Sequence, residues 1–222
     1  MYNEEDSVRP LVRALTDKLS AISEDYEIII VDDGSLDSSG KIADKLSGED
    51  PRIKVVHHGK NLGYGAAIRS GIAASRYDYI FYTDGDIQFD AEEIDKLLPF
   101  IGDHEIVTGY RIKKQQYGIK RIIITSIRNL FDRIIFGLPY KDLGCAFKIF
   151  KREIFNEINL TLNGMMIETE IFLKAKKKGF KIKEVGITNY PRAYGRGTGS
   201  SLKMILQALF ELWKLFFVLI SK

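Results

Sequence analysis

The sequence has one cysteine, little net charge and no apolar leader segment. Cys145 is the single cysteine in 222 residues, so no disulfide can form within the chain, which fits a reducing compartment. The net charge of +3 is too small to indicate binding to nucleic acid. The first residues are acidic and polar, unlike a secretory signal peptide, and we therefore expect a cytoplasmic protein.

The composition favours one domain with one hydrophobic core, because 45% of the 222 residues are hydrophobic. No repeat, low-complexity segment or linker divides the chain. Short apolar runs alternate with helical patterns, which predicts an α/β fold with a mostly parallel sheet flanked by helices. The predicted strands are residues 26–31, 53–56, 77–82, 105–108, 146–150 and 182–187. The predicted helices are residues 8–22, 38–46, 63–75, 91–101, 119–135 and 165–177.

Two acidic residues, Asp84 and Asp86, directly follow the predicted strand 77–82. Paired carboxylates at the carboxyl end of a strand suit Mg²⁺ or Mn²⁺, which fill their remaining coordination positions with waters and substrate phosphates. Ligands of open α/β sheets also bind at this edge. A pair of surface turn acids is the alternative, and the other motifs of the chain decide between the two interpretations.

Four segments carry a resemblance to a known family: residues 2–5, 31–35, 61–67 and 84–88. They read Tyr-Asn-Glu-Glu, Val-Asp-Asp-Gly-Ser, Asn-Leu-Gly-Tyr-Gly-Ala-Ala and Asp-Gly-Asp-Ile-Gln. In this order they resemble glycosyltransferase family 2, the nucleotide-sugar-dependent transferases of the GT-A fold. Three further segments resemble the branch of dolichyl-phosphate mannose synthases and related polyprenyl-phosphate glycosyltransferases: residues 142–148, 167–170 and 191–195.

The resemblance covers nearly the whole chain except the first strand of the family. The chain enters its first helix at about residue 8 with no strand before it. We expect this difference to leave a central position of the sheet unpaired, or filled by another element. The resemblance implies a GT-A domain over residues 1–200. The pattern of polar and apolar residues that follows predicts an amphipathic, membrane-associating helix over residues 201–222.

The resemblance also implies the donor site. Asp86 is the expected metal ligand, with Gln88 supplying a second oxygen and Asp84 holding the ribose or a metal-bound water. Arg192 and Arg196 are expected to clamp phosphate from a glycine-rich loop. The residues assigned to the nucleotide sugar are Tyr2, Asn3, Glu4, Asp32, Asp33, Gly63, Asp84, Gly85 and Arg192.

Charge decides the expected acceptor. A sugar hydroxyl needs a general base, whereas a phosphate monoester, with a second pKa of about 6, is already largely dianionic at neutral pH. The segment 142–144 lacks the Glu-Asp pair typical of relatives that use sugar acceptors. Arg111 and Arg121 stand where the branch places its acceptor-phosphate arginines, and arginine fits phosphate with paired donors. The residues assigned to the acceptor are Arg111, Arg121, Ser126 and Arg196, and those assigned to catalysis are Asp86, Arg111, Arg121 and Asp142.

The C-terminal segment 202–220 is nearly all apolar, but polar residues recur in it at helical spacing. These residues are Lys203, Gln207, Glu211 and Lys214. Charges inside the segment argue against a simple membrane span, which takes about 20 mostly apolar residues. An amphipathic helix lying in the plane of an anionic membrane is favoured. A helix packed on the sheet or on a partner protomer is the alternative.

Together these features predict a metal-dependent, inverting glycosyltransferase. It would move a hexose from a nucleotide diphosphate sugar, of the GDP-mannose or UDP-glucose type, to a polyprenyl phosphate at the cytoplasmic face of a membrane. One alternative is a family 2 enzyme that glycosylates a saccharide acceptor in cell-envelope synthesis, with Asp142 as the base. Another is a non-catalytic, membrane-bound subunit.

Overall fold

Six strands in two sheets form the centre of the described chain. The computed structural model describes residues 1–112, 126, 129–192, 207 and 210–217. In one sheet, β1 pairs in parallel with β2. The other sheet has the order β3-β5-β4-β6. The strands are β1 Ile28–Asp32, β2 Ile53–His57, β3 Tyr79–Thr83, β4 Ile106–Arg111, β5 Phe147–Lys151 and β6 Ile182–Ile187.

The larger sheet mixes strand directions because β5 lies between β3 and β4 and runs opposite to both. Strand β6 pairs in parallel with β4. The predicted α/β class is confirmed, but parallel and antiparallel pairs are evenly represented among the described strands. Strands β3 and β4 both run antiparallel to β5, so their carboxyl ends lie at the same edge of the sheet.

The helices cover the sheets much as their apolar periodicity predicts. They are α1 Glu5–Ile22, α2 Ser39–Glu49, α3 Tyr64–Ala74, α4 Ile154–Glu157 and α5 Ile167–Lys177. Helical structure also covers residues 129–135 and 210–217, and the latter segment is called the C-terminal helix below. Of the predicted helix 119–135, residues 119–125, 127 and 128 lie outside the described residues.

The prediction of one α-helix over residues 91–101 is wrong. Two short 3₁₀ helices, Ala91–Lys96 and Leu98–Phe100, occupy this segment. Pro99 lies in the first turn of the second helix. A proline inside an α-helix removes one hydrogen bond and clashes with the preceding turn. The segment therefore breaks into two tighter turns.

Two clusters of buried side chains form the core. One includes Val12 of α1 and Ile30 of β1, and the other includes Phe150 of β5 and Phe172 of α5. Leu215 of the C-terminal helix is fully buried in the second cluster. The C-terminal helix therefore packs against the same core that supports β5.

The residues ahead of α1 form no strand, as the sequence predicts. The backbone N–H of Asp33 donates to the carbonyl oxygen of Met1 at 2.9 Å. The amino group of Met1 donates to the carbonyl oxygen of Val31 at 2.6 Å. Met1 thus pairs with the end of β1, and β1 and β3 belong to separate sheets.

Candidate active site

The predicted site residues gather where β1, β3 and β4 end. Asp32 closes β1, Asp84 follows β3, and Arg111 closes β4. The carboxyl ends of strands are where α/β domains place their ligands. A cavity of about 130 Å³ opens there, and its lining includes Tyr64, Asp84, Gln88, Arg111, Met165 and Glu168.

Arg192 brings together two predicted donor-site acids that are distant in sequence. Its Nη2 donates to Asp86 Oδ2 at 3.0 Å and to Glu4 Oε1 at 2.9 Å. Asp86 and Glu4 are both buried. Burial raises the pKa of Glu4, and the nearby Arg192 guanidinium opposes that shift. One guanidinium thus holds two carboxylates that the sequence assigned to metal and nucleotide binding.

Asp84 is a half-buried acid in a negatively charged setting. Burial raises its pKa to about 7, and repulsion from Asp86 and Glu168 adds to the shift. The Tyr82 hydroxyl donates to Asp84 Oδ1 at 3.1 Å and opposes it. Burying neighbouring carboxylates is costly unless a positive charge compensates them. The environment of Asp84 therefore fits a bound cation.

The turn after Asp86 has an unusual backbone conformation and leads to Gln88, which lines the cavity. Ile87 has a φ of 53°, which is uncommon for a β-branched residue and costs on the order of 1–3 kcal/mol. The Gln88 side chain is fixed by Nε2, which donates to the Tyr190 carbonyl oxygen at 3.2 Å. Asp86, Gln88 and Asp84 offer hard oxygen ligands, which fit Mg²⁺ or Mn²⁺. Within the described chain, no group of three or more His, Cys, Asp or Glu residues forms a metal site.

Asp33 organises the loop that leads into α3. Its Oδ1 accepts from the Leu62 N–H and its Oδ2 from the Gly63 N–H, each at 2.9 Å. The His58 Nδ1 lies 2.6 Å from Asp33 Oδ1. Gly63 has a φ of 106°, and a Cβ there would lie 2.5 Å from the Asn163 carbonyl oxygen. Glycine is therefore required where the chain enters α3.

Asp32 is held ionised at the end of β1. Burial alone would raise its pKa, but hydrogen bonds from Ser35 and His57 outweigh burial and keep that pKa below its usual value. The Ser35 N–H donates to Asp32 Oδ1 at 3.0 Å. An acceptor-only carboxylate at a strand end suits the N–H and hydroxyl donors of a nucleotide.

The segment Tyr2–Glu4 is bonded to the loop after β1 and to the first residue of α2. The Asn3 side chain accepts from the Leu36 N–H at 2.8 Å, and the Glu4 N–H donates to Ser39 Oγ at 2.8 Å. Tyr2 is half-buried beside them. A Cβ at Gly85 would lie 3.2 Å from the Met1 side chain, so the N-terminus is in close contact with the turn that follows β3.

Arg111 and Asp142 form a buried, two-pronged ion pair. Arg111 Nε donates to Asp142 Oδ2 and Nη2 donates to Asp142 Oδ1, each at 2.7 Å. The Asp142 side chain is fully buried and that of Arg111 is 10% exposed. Both carboxylate oxygens of Asp142 thus accept from a permanent cation. This pairing makes Asp142 poorly suited to remove a proton from an acceptor.

A second buried ion pair lies beside the cavity, and neither of its two residues was assigned a role from the sequence. Lys148 Nζ lies 2.8 Å from Glu168 Oε1, and both side chains are almost fully buried. Lys148 Nζ also donates to the Cys145 carbonyl oxygen. Burial raises the pKa of the Cys145 thiol to about 12, so this cysteine is inert. The sequence signal for this pair was a lysine in the apolar strand β5, because a buried charge needs a partner.

The remaining assigned residues are not brought to the site by the described structure. Arg121 and Arg196 lie outside the described residues. Ser126 is described as an exposed helical residue.

The C-terminal helix has a buried polar residue and an exposed aromatic face. Glu211, which the sequence pattern placed in a polar stripe, is buried, whereas Lys214 is exposed. The side chains exposed by roughly half or more are Phe210, Trp213, Phe216 and Phe217. No helix in the described part of the chain is both long and apolar enough to span a bilayer.

The strand ends carry several acids and an arginine, and a helix begins there at a glycine. In an α/β domain this arrangement suits a phosphate-bearing ligand. The chain belongs to glycosyl transferase family 2, whose family model matches residues 1–158. This match confirms the family resemblance drawn from the sequence motifs.

Curated relatives are similar over most of this chain. Glycosyltransferase AglD of Haloferax volcanii is 28% identical over 200 residues, which are 86% of this chain and 32% of that protein. Dodecaprenyl-phosphate galacturonate synthase of Rhizobium johnstonii is 29% identical over 219 residues, which are 94% of this chain and 63% of that protein. The chain therefore spans less than two thirds of the length of either relative.

A solved structure shows the same fold. Glucosyl-3-phosphoglycerate synthase from Mycobacterium tuberculosis, in complex with Mn²⁺ and UDP-glucose, matches with a TM-score of 0.67 at 18% identity. The match covers 96% of this chain and 76% of that one. The predicted GT-A class is thereby confirmed.

Proposed function

We propose that this protein is an inverting glycosyltransferase that moves a hexose from a nucleotide diphosphate sugar to a polyprenyl phosphate. One observation carries the choice of acceptor. Arg111 lines the cavity, and it engages both oxygens of Asp142 at 2.7 Å. The pair occupies Asp142, the residue that a saccharide-directed enzyme would use as its base, and places an arginine, which is suited to bind phosphate, in the cavity wall.

The donor half of the proposal rests on the acids and on Arg192. Asp32, with its depressed pKa, is suited to accept hydrogen bonds from the nucleoside, and Arg192 to bind the diphosphate. Mg²⁺ or Mn²⁺ held by Asp86, with Gln88 and Asp84, supplies charge neutralisation of the diphosphate leaving group when bound. The shared fold of a synthase crystallised with Mn²⁺ and UDP-glucose supports this assignment.

The chemistry needs few protein groups. An oxygen of the acceptor phosphate attacks the anomeric carbon of the sugar from the side opposite the leaving group. The bond from that carbon to the diphosphate oxygen breaks, and its electron pair stays with the departing nucleoside diphosphate. The configuration is inverted. A dianionic phosphate carries no proton that must be removed, so Arg111 has only to bind and orient it.

The lipid part of the acceptor follows from the relatives and from the C-terminal helix. A relative similar over 94% of this chain is named for its dodecaprenyl-phosphate product. The exposed aromatic face of the C-terminal helix suits the apolar boundary of a bilayer, where amphipathic helices bury one face. We therefore place the protein on the cytoplasmic face of an anionic membrane, with residues 201–222 as its membrane-associating segment.

A transfer assay tests the proposal. The full chain is incubated with Mg²⁺ or Mn²⁺, a radiolabelled nucleotide diphosphate hexose and either polyprenyl phosphate in anionic vesicles or a soluble oligosaccharide. We expect organic-phase label only with the lipid phosphate, and its release by mild acid, as for a glycosyl phosphate. Transfer to the oligosaccharide alone would make the saccharide acceptor correct, and nucleotide binding without any transfer would favour the non-catalytic subunit.

A further inference from the structure

The C-terminal helix is bonded directly to the loop that precedes α5. Glu211 Oε1 accepts from the Gly164 N–H at 2.6 Å, and its Oε2 accepts from the Met166 N–H at 3.3 Å. The Gln207 side chain donates to the same Oε1 at 3.2 Å. A Cβ at Gly164 would lie 2.5 Å from both carboxylate oxygens, so the backbone and the carboxylate are in close contact.

That loop, residues 163–166, forms part of the cavity wall. Met165 lines the cavity, and Glu168 in the first turn of α5 lines it as well. On its other side the loop contacts the start of α3, where the Asn163 carbonyl oxygen accepts from the Gly65 N–H at 2.8 Å. The 163–166 loop therefore connects the C-terminal helix to both helix starts at the site.

An acid at position 211 is unusual, because the side chain is buried beside apolar residues. An apolar residue would pack beside Leu215 without the cost of burying a charge. A buried carboxylate instead fixes two backbone N–H groups at the start of α5, where an anion is also favoured by the helix dipole. These two hydrogen bonds fix the position of the loop more narrowly than apolar contacts alone would.

We propose that Glu211 is a positioning residue for the transfer reaction. It holds the 163–166 loop, and with it the Met165 wall beside Arg111, in the form that accepts the phosphate. The same helix exposes Phe210, Trp213 and Phe217 on its other face, so contact of that face with lipid stabilises the wall through Glu211. This inference rests on the proposed function and adds to it a residue to which the sequence motifs gave no role.

The test compares two substitutions of buried acids. Glu211→Gln keeps the side-chain shape but turns an N–H group toward a backbone donor. Glu27→Gln is the matched control, because Glu27 also accepts a backbone N–H, from Arg76 at 2.8 Å, and pairs with Lys54 at 2.7 Å. Glu27 lies at the end of β1 opposite Asp32, away from the cavity.

We expect Glu211→Gln to raise the KM for the acceptor phosphate by at least about tenfold, the effect of losing one charged hydrogen-bond acceptor. The affinity for the nucleoside diphosphate with Mn²⁺ should stay within about twofold of the wild type, a difference of ~0.4 kcal/mol in binding free energy. Glu27→Gln should lower Tm without changing either quantity. If Glu211→Gln changes Tm alone, as the control does, Glu211 is only structural and the proposal is wrong.

Hydrogen exchange tests the same proposal without any turnover. The Gly164 and Met166 amides should exchange faster in Glu211→Gln, and anionic vesicles should slow their exchange in the wild type but not in the variant. Unchanged exchange of both amides in the variant would overturn the proposal. A wild type that shows the exchange pattern but transfers nothing to lipid phosphate would instead contradict the proposed function.

Discussion

At the scale of single residues, the site holds carboxylates close together, and their charges would destabilise the fold without compensating partners. Asp84 and Asp86 follow β3 one residue apart, and Arg192 and the Tyr82 hydroxyl donate hydrogen bonds that partly offset their charges. Sequence motifs singled out both acids as candidate site residues. They could not show that Arg192 would bridge Asp86 and Glu4, because that contact depends on chain segments 188 positions apart.

The assignment of Asp86 to the metal is tested by binding. Asp86→Asn removes the charge that would anchor the cation, so the nucleoside diphosphate should lose its Mn²⁺-dependent affinity gain, by about tenfold or more. Isothermal titration with and without Mn²⁺ measures this. The control is Asp103→Asn, an exposed acid away from the site. Equal Mn²⁺ dependence in both variants would refute the metal assignment.

The raised pKa of Asp84 predicts how stability depends on pH in the absence of divalent ions. The folded state holds a proton on Asp84 up to about pH 7, whereas the unfolded state loses it near 3.8. Folding therefore loses stability as pH rises from about 4 to 7, by a few kcal/mol at most. Asp84→Asn should remove this loss, so that urea unfolding shows the variant to be more stable than the wild type at pH 8 but not at pH 4. A constant difference across that range would contradict the raised pKa.

At the scale of elements, periodic patterns predicted most helices and strands to within a few residues. Strands rich in branched apolar residues, such as β1, and helices with one apolar stripe, such as α1, carry their own signal. The sequence did not predict the antiparallel insertion of β5 between β3 and β4, because strand order follows from packing between distant segments. It also placed Glu211 among polar surface residues, since periodicity shows a stripe but not what covers it.

The entry into α3 provides a stability test at this scale. Gly63→Ala would force a left-handed residue against the Asn163 carbonyl oxygen and should cost on the order of 1–3 kcal/mol. Gly48→Ala is the control inside α2, where a Cβ meets nothing within 4 Å. It should raise the free energy of unfolding by up to about 1 kcal/mol. Chemical denaturation measures both, and a loss of similar size in the two variants would contradict the structure.

At the scale of the whole molecule, the 163–166 loop connects the cavity at the strand ends to the C-terminal helix, which exposes an aromatic face. The family and the α/β class could be predicted from motifs in a fixed order. The orientation of the C-terminal helix could not, because both an in-plane membrane helix and a packed helix satisfy the same apolar pattern. The structure shows one face packed, with Leu215 buried, and the other exposed.

Membrane contact through that exposed face is tested by substitution. A triple variant with serine at positions 210, 213 and 217 should bind anionic vesicles at least about tenfold more weakly, since each large apolar side chain contributes about 1.5–3 kcal/mol when fully buried. Flotation with vesicles measures binding. Ile22→Ser, at an exposed position ending α1, is the control. Unchanged flotation of the triple variant would place the membrane contact elsewhere or exclude it.

In the proposed reaction an arginine-bound phosphate, and not a base-activated hydroxyl, receives the sugar. Steady-state transfer to polyprenyl phosphate by Arg111→Gln and Asp142→Asn distinguishes the two acceptors, with the exposed Arg13→Gln as the control. We expect Arg111→Gln to lose about a hundredfold in kcat/KM for the acceptor, roughly 3 kcal/mol, while Asp142→Asn keeps at least about a tenth of it. An inactive Asp142→Asn beside a fully active Arg111→Gln would contradict phosphate as the acceptor.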